Sequence, residues 1–376
     1  MILKYAELRI SHHLGTVLIS LGSLFNRQQP GMLGLDISSS SVKLVELSRD
    51  TAKNLVLDYC AIEPLERGWI TDGNVENFDE VADAVRRLVK KSGARTKNVA
   101  IALPALAVIT KKIMLPGGLT NDELEIQVES EANQYIPFSL DEVSLDFCVI
   151  GPSQTSRGEV DVLIAASRKE QVQDRQGLAE AAGLIPVVMD VESYASRRAV
   201  TRLIAGLPNK DANPVVALFE LGALGTSMHV IRSDEVLSER DQAFGGAQLT
   251  QLLVRQYGFS PEDAEIKKRN GDLPEDYQAS VLQPFVESMA QEIGRALQFF
   301  FTSTSHHKID YVLLAGGSSA LPGLTEAVTR QTSFACILVN PFEGMRVGAG
   351  VHIKRMRQEA PSYLTCCGLA MRKFLQ

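Results

Sequence analysis

Residues Leu33 to Glu46 read LGLDISSSSVKLVE, and the reading of this stretch decides the fold. Leu33, Leu35 and Ile37 alternate with small or polar residues, and apolar residues return at Val42, Leu44 and Leu47. A period-2 pattern broken by a polar turn predicts a β-hairpin. The turn, Ser38 to Ser41, is dense in backbone N–H groups and hydroxyls, and Lys43 follows it. Such a turn wraps phosphate oxygens with fixed dipoles while a lysine adds a point charge. Asp36 closes the first strand, where a carboxylate holds Mg²⁺ through its water shell. A solvated serine-tipped hairpin fits the same letters, so the phosphate reading needs a second, matching turn.

That second turn exists. Val215–Leu221 reads as a buried strand, Gly222–Gly225 as a turn, and Thr226–Arg232 and Glu235–Arg240 as two more strands, with Gly245–Gly246 opening a helix. Glu220 stands where Asp36 stands in the first hairpin. Around the first hairpin the order is the same: strands Leu33–Ser38, Val42–Leu47 and Leu55–Ile62, then a helix over Asn77–Lys91. Two β-β-β-α units, each with an acidic residue before a polar turn, predict two similar lobes with a phosphate held between their hairpins.

Other segments complete the order. Val99–Leu103 and Ala107–Leu115 read as strands. Thr120-Asn-Asp-Glu123 is a capping box opening a helix that stops before Pro137. This helix carries five acidic and no basic residues between Asn121 and Ile136, a solvated face or a seat for a basic segment. With strands Val143–Ile150 and Val160–Ala166 and a helix over Glu170–Ala182, it predicts a compact module from Lys111 to about Met189. Glu192 opens another helix, and the turn-rich LPNKDANP (Leu207–Pro214) reads as a hinge. Ser260-Pro-Glu-Asp caps a helix bearing Glu265 and Lys268 within one turn. Ser280–Thr302 reads as one long helix ending in core aromatics. Tyr311–Leu314 runs into Gly316-Gly317-Ser318 and a helix from Pro322, a place where a nucleoside approaches backbone closely.

Composition bounds the function. With 376 residues, 45% hydrophobic, 22% charged and net charge −7, the chain is an ordinary globular protein of two domains or two lobes, without the basic stripe of a nucleic-acid binder. The five cysteines show no metal-ligand spacing and suit a reducing compartment. Leu14–Phe25 is apolar but falls short of the about 20 residues that cross a bilayer. An interfacial anchor, a displaced start and a disordered tail stay open for it, with the tail or displaced start favoured because the folded pattern begins near Met32.

The order of elements resembles the actin, sugar-kinase and heat-shock-chaperone ATPases. The segments LGLDISSSSVKLVELSR, ESEANQYIPFSLDEVSLDF, VDVLIAASRKEQV, MDVESYASRRA, FGGAQLT, LAGGSSALPGL and CGLAMR resemble the PilM family, actin-like and FtsA-related cytoplasmic proteins of type IV pilus assembly. The resemblance covers about Met32 to Phe374. It implies an α/β, two-lobed actin-like ATPase fold with an FtsA-like extra subdomain. The expected parts are an extension 1–31, a first lobe 32–110, the inserted subdomain 111–189, a return and hinge 190–210, a second lobe 211–340 (246–305 its nucleotide-side subdomain), and a C-terminal return 341–376.

For function it implies ATP with Mg²⁺ in the cleft. Asp36, Ser38, Ser39, Ser40 and Lys43 match the first phosphate loop, with Asp36 on Mg²⁺ through water. Glu220, Gly222 and Thr226 match the second loop, and Gly245 and Gly246 the turn beneath it. Glu265 and Lys268 match ribose- and adenine-holding positions, Gly316, Gly317 and Ser318 the adenosine loop, and Glu192 a water-orienting position. Glu220 departs from the usual Asp-x-Gly; its extra methylene disturbs strict Mg²⁺ geometry, so binding is expected more firmly than hydrolysis. The implied partner is the N-terminal cytoplasmic peptide of PilN, which would hold the protein at the cytoplasmic face of the inner membrane. A motor ATPase, the platform protein and a second copy of the chain are further candidates, in the context of twitching motility. An active ATPase and an FtsA-like filament-forming division protein are the alternatives, the latter disfavoured because Thr365–Leu375 belongs to the CGLAMR segment rather than to an amphipathic tail.

Overall fold

The computed structural model describes residues 32–94, 96–207, 213–233 and 235–374. The expected extension 1–31 with its apolar stretch, and 208–212 of the expected hinge, lie outside the described residues. The chain divides into two compact units. The first holds the chain up to Ala199, Gly344–Val351 and the residues from Thr365; the second holds Val200–Glu343 and His352–Leu364.

In chain order the first unit begins with strands β1 (Met32–Ile37), β2 (Ser41–Arg49) and β3 (Leu55–Pro64), then a short ribbon of β4 (Ile70–Thr71) and β5 (Asn74–Val75). Helix α1 (Phe78–Ser92), β6 (Asn98–Leu103), β7 (Ile109–Pro116), α2 (Asn121–Tyr135), β8 (Val143–Pro152), β9 (Glu159–Arg168), α3 (Lys169–Ala181), β10 (Ile185–Val191) and α4 (Glu192–Ile204) follow. The second unit carries β11 (Val215–Leu221), β12 (Thr226–Arg232), β13 (Glu235–Gln242), α5 (Ala247–Tyr257), α6 (Pro261–Asn270), α7 (Gln283–Ser303), β14 (Tyr311–Ala315), α8 (Leu324–Thr332) and β15 (Ala335–Leu338). The chain closes with β16 (Arg346–Val347), α9 (Ile353–Glu359) and α10 (Leu364–Ala370).

The duplication is a matter of topology. The first sheet runs β10-β6-β1-β2-β3, with β16 added at its edge, and the second runs β15-β14-β11-β12-β13. In each, the opening strand pairs antiparallel with the second and parallel with the strand after the helix. This is the duplicated actin-like α/β arrangement.

All six residues of β1 are buried, because this central strand is covered on both faces. Leu33, Leu35 and Ile37 pack with Val81, Val85 and Leu88 of α1 and Val172 and Leu178 of α3. On the other face α10 lies directly on the strand. A Cβ at Gly34 would fall 2.1 Å from Cys366 O, and one at Gly368 would fall 1.8 Å from Ala195 O. Only glycines admit that approach, so LGLD and CGLA, far apart in sequence, form one packed contact.

The inserted subdomain is an antiparallel β7-β9-β8 sheet carrying α2. Leu124, Val128 and Ala132 of α2 face Ile113, Leu115, Val162 and Ile164, and Thr120 and Glu123 form the expected capping box. It is smaller than 111–189. Helix α3 puts Val172 and Leu178 into the first sheet's core and β10 joins that sheet, because the chain returns as a parallel crossover beside β6. Of the expected C-terminal return 341–376, His352–Leu364 groups with the second unit, where Gly316 N donates to Pro361 O at 2.8 Å and the Phe342 and Tyr363 rings lie 5.6 Å apart.

Two helix starts differ from expectation. The segment expected to begin a helix at Ser280 winds as a π-turn over Gln278–Leu282 before α7. Pro284 lacks the N–H that would continue an α-ladder backwards, which accounts for the looser turn. Its aromatic end divides as core and surface, with Phe300 buried and Phe299 half exposed. The helix expected from Pro322 begins at Leu324, after a 3₁₀ turn at Gly317–Ala320 and a left-handed Gly323.

Candidate functional site

In the first unit the site begins with the β1–β2 hairpin. Asp36 and Lys43 are direct cross-strand partners, both nearly buried, and Lys43 Nζ lies 2.7 Å from Asp36 Oδ2. Lys43 Nζ also donates to Ser38 Oγ at 3.1 Å. Ser38 closes the turn through N and Oγ, which donate to Ser41 O at 3.0 and 2.9 Å. Ser39 is half-buried and Ser40 exposed at the tip. The lysine predicted to meet phosphate therefore already neutralises the carboxylate predicted to meet metal.

Strands β1, β6 and β10 run parallel, so their carboxyl ends gather at one edge of the sheet. Asp36 lies there, and Glu192 follows β10 directly as the first residue of α4. Two residues before it, Asp190 forms a buried ion pair with Arg372, tying the C-terminal segment to β10.

In the second unit the candidate groups are mostly backbone. Gly222 N donates to Gly225 O at 2.9 Å, which closes the β11–β12 turn. Gly246 N donates to Gly222 O at 3.0 Å and Ala247 N to Ala223 O at 2.8 Å, so the start of α5 is laced to that turn. Ser318 Oγ donates to Gly222 O at 2.9 Å and brings in the loop after β14. A Cβ at Gly245 would meet Ala223 O at 2.6 Å, and one at Gly316, whose φ is +88°, would meet Leu221 O at 2.5 Å. Three loops meet where side chains have no room, the kind of backbone surface that accepts phosphate or nucleoside closely.

Thr226 is buried and donates its hydroxyl to Phe244 O at 2.6 Å, which fastens the start of β12 to the loop before α5. One turn into α5, Thr250 joins Glu265 and Lys268. Lys268 Nζ donates to Glu265 Oε2 at 2.6 Å and to Thr250 Oγ1 at 2.7 Å, and Thr250 Oγ1 donates to Glu265 Oε2 at 2.8 Å. Burial raises the Glu265 carboxyl, but Lys268 and the hydrogen bonds outweigh it and leave the group below its ordinary value. Thr250 is the last letter of FGGAQLT, and in the sequence a helical threonine carries no signal of its own.

A profile of the family described as Type IV pilus assembly protein PilM matches residues 34–374. The chain belongs to the PilM family. It is 30% identical to a chain in the solved PilM–PilN type IV pilus biogenesis complex, with a TM-score of 0.73 over 91% of this chain and 98% of that one. It also shares its fold with the ethanolamine utilization protein EutJ from Carboxydothermus hydrogenoformans, at 16% identity and a TM-score of 0.53 over 91% and 90% of the two chains.

Within this PilM-family chain the predicted residues form three groups. Asp36, Ser38 and Lys43 meet in the first hairpin, with Ser39 and Ser40 at its tip. Gly222, Gly245, Gly246, Gly316 and Ser318 meet in the second unit's loops, and Gly317 follows Gly316 there. Glu265 and Lys268 meet with Thr250. Glu220 pairs across the strands with Ser227, where the first hairpin has Lys43. Two positions on from Ser227, burial opposes charge on His229. A hydrogen bond with Glu239 and the carboxylates of Glu220, Glu239 and Asp241 prevail and hold the histidine above its ordinary pKa. Among the described residues no helix is long and apolar enough to cross a membrane, and no group of three or more His, Cys, Asp or Glu is placed to hold a metal. The glycine-lined loops and the Thr250–Glu265–Lys268 triad fit a nucleotide. With Asp36 matched by Lys43, Mg²⁺ fits as an ion arriving with phosphates and keeping most of its water.

Proposed function

We propose that this protein is an ATP- and Mg²⁺-binding scaffold of the type IV pilus inner-membrane assembly complex. It would receive the N-terminal cytoplasmic peptide of PilN and link a PilN–PilO platform to the cytoplasmic motor. The observation that carries this reading is the similarity, over nearly its full length, to a chain taken from a PilM–PilN complex. The protein then works at the cytoplasmic side of the inner membrane, held there through PilN.

Both units carry groups suited to a nucleotide. Lys43 and the Ser38–Ser40 turn offer donors to phosphate oxygens, and Asp36 offers a carboxylate to the metal's water. Gly222, Gly245, Gly246, Gly316 and Gly317 offer close backbone approach, and Thr250, Glu265 and Lys268 offer polar partners to ribose and base. Mg²⁺ supplies charge neutralisation on the phosphates. For the peptide, the inserted subdomain exposes Met114, Ile126, Tyr135 and Phe138, with the Lys111 ammonium 4.8 Å from the Tyr135 ring centroid.

Nucleotide would act by shifting the population of peptide-accepting states, which requires different affinity in the two states. Titrating a synthetic PilN N-terminal peptide into the protein with and without Mg·ATP tests this. The reading expects binding in both cases, at affinities differing several-fold. No peptide binding under either condition removes the scaffold reading, and equal affinities remove the coupling. Hydrolysis is the second reading, favoured by the place of Glu192 at the sheet's carboxyl edge. Steady phosphate release abolished by Glu192→Gln supports it, and no release by the wild type ends it.

A further inference from the structure

Arg175 lies outside every predicted site. It stands in the middle of α3 and is 1% exposed. Its Nη2 donates to Gly73 O at 2.8 Å, in the turn between β4 and β5. Its Nε and Nη1 are buried without a hydrogen-bond partner in the protein. A guanidinium stays charged in proteins, so this is a buried cation with donors left over, an arrangement that folding alone disfavours. Fastening α3 to the ribbon does not require it, because Gln171 Nε2 already donates to Asn74 Oδ1 at 2.6 Å.

Its location gives the leftover donors a purpose. A Cβ on Gly73 would lie 2.9 Å from Pro104 Cγ, and Pro104 immediately follows the carboxyl end of β6. Asp36 and Glu192 mark the same ends of β1 and β10. Burial lowers the Arg175 pKa, and Glu192 followed by Asp36 are the charges that most oppose this. The guanidinium therefore belongs to the edge where open α/β sheets take their ligands. The natural complement to such a planar cation is a compact oxyanion, and phosphate is one that the guanidinium fork binds bidentately.

We propose that Arg175 binds the terminal phosphate of a nucleoside triphosphate and so makes the protein prefer ATP to ADP. This rests on the nucleotide reading above and adds to it the discrimination between the two nucleotides. The residue is a phosphate-binding group held ready by Gly73, with α3 as its rigid support.

The test is calorimetric titration of Mg·ATP, Mg·ADP and inorganic phosphate into the full chain and its Arg175→Gln and Arg175→Lys variants, with melting curves for each. The expected result is a loss of about tenfold or more in ATP affinity for Arg175→Gln, with ADP affinity changed less than about twofold. Arg175→Lys, which keeps the charge but not the fork, falls between, and it carries the test if Arg175→Gln does not fold. Equal weakening of ATP and ADP, or none, overturns the role of Arg175 while leaving nucleotide binding intact. Weakened inorganic phosphate binding with unchanged ATP affinity overturns it in favour of a free-anion site. No nucleotide binding by the wild type overturns both readings.

Discussion

The two hairpins share a frame and differ in chemistry. In each, an acidic residue is next to last in the first strand and a four-residue turn separates a closing pair, Ile37 with Val42 and Leu221 with Thr226. Opposite the acid, the first hairpin places Lys43 and the second Ser227. The first is closed by a buried ion pair, the second by glycines and by hydroxyls donated to backbone carbonyls. The sheet fixes the same register in both, and the turns differ: the first hairpin carries charge, and the second admits close backbone approach.

The ways to break this comparison differ accordingly. Asp36→Ala strands the Lys43 ammonium and should destabilise the first unit by about 3–5 kcal/mol, read by urea unfolding. The double variant Asp36→Leu, Lys43→Met should recover most of that loss, because the cost arises from an unmatched buried charge. In the second hairpin the break is steric. Gly316→Ala forces a side chain onto Leu221 O at positive φ and should cost about 3 kcal/mol in the same assay, with no rescue by a charge change. Thr226→Val removes only the hydroxyl held by Phe244 O and should cost about 1–2 kcal/mol.

The smallest effect sharpens the electrostatic contrast. The His229 pKa is raised on folding, so its contribution is fully present below its unfolded value of about 6.5 and is lost as pH rises through the folded value. The stability difference between wild type and His229→Gln should therefore shrink from pH 6 to pH 9. A constant difference would mean that His229 is held by packing alone.

The repeat itself was legible because both hairpins keep alternation and an acid before a polar turn, and the FGGAQLT and LAGGSS loops were legible because glycine runs name close approaches. The edges of the inserted subdomain were not. Helix α3 and β10 carry the same kind of apolar periodicity whichever sheet they join, and only the parallel crossover assigns them to the first. The grouping of segment 352–364 with the second unit is hidden for a similar reason, since it rests on tertiary contacts, among them the hydrogen bond from Gly316 and the Phe342–Tyr363 ring contact. Arg175 was invisible because a lone arginine in a polar helix reads as surface. Lys43 and Asp36 stand out in the sequence, but their mutual pairing is a property of cross-strand register that no motif states.

The most direct measurement is calorimetric titration of Mg·ATP into the wild-type protein and into Lys43→Ala and Lys268→Ala, one variant in each unit. The expected result is saturable binding by the wild type, weakened at least tenfold by one or both substitutions while circular dichroism shows both variants folded. Saturable binding that neither substitution disturbs would place the nucleotide elsewhere. No binding by the wild type would contradict the account and leave the duplicated hairpins as structure alone.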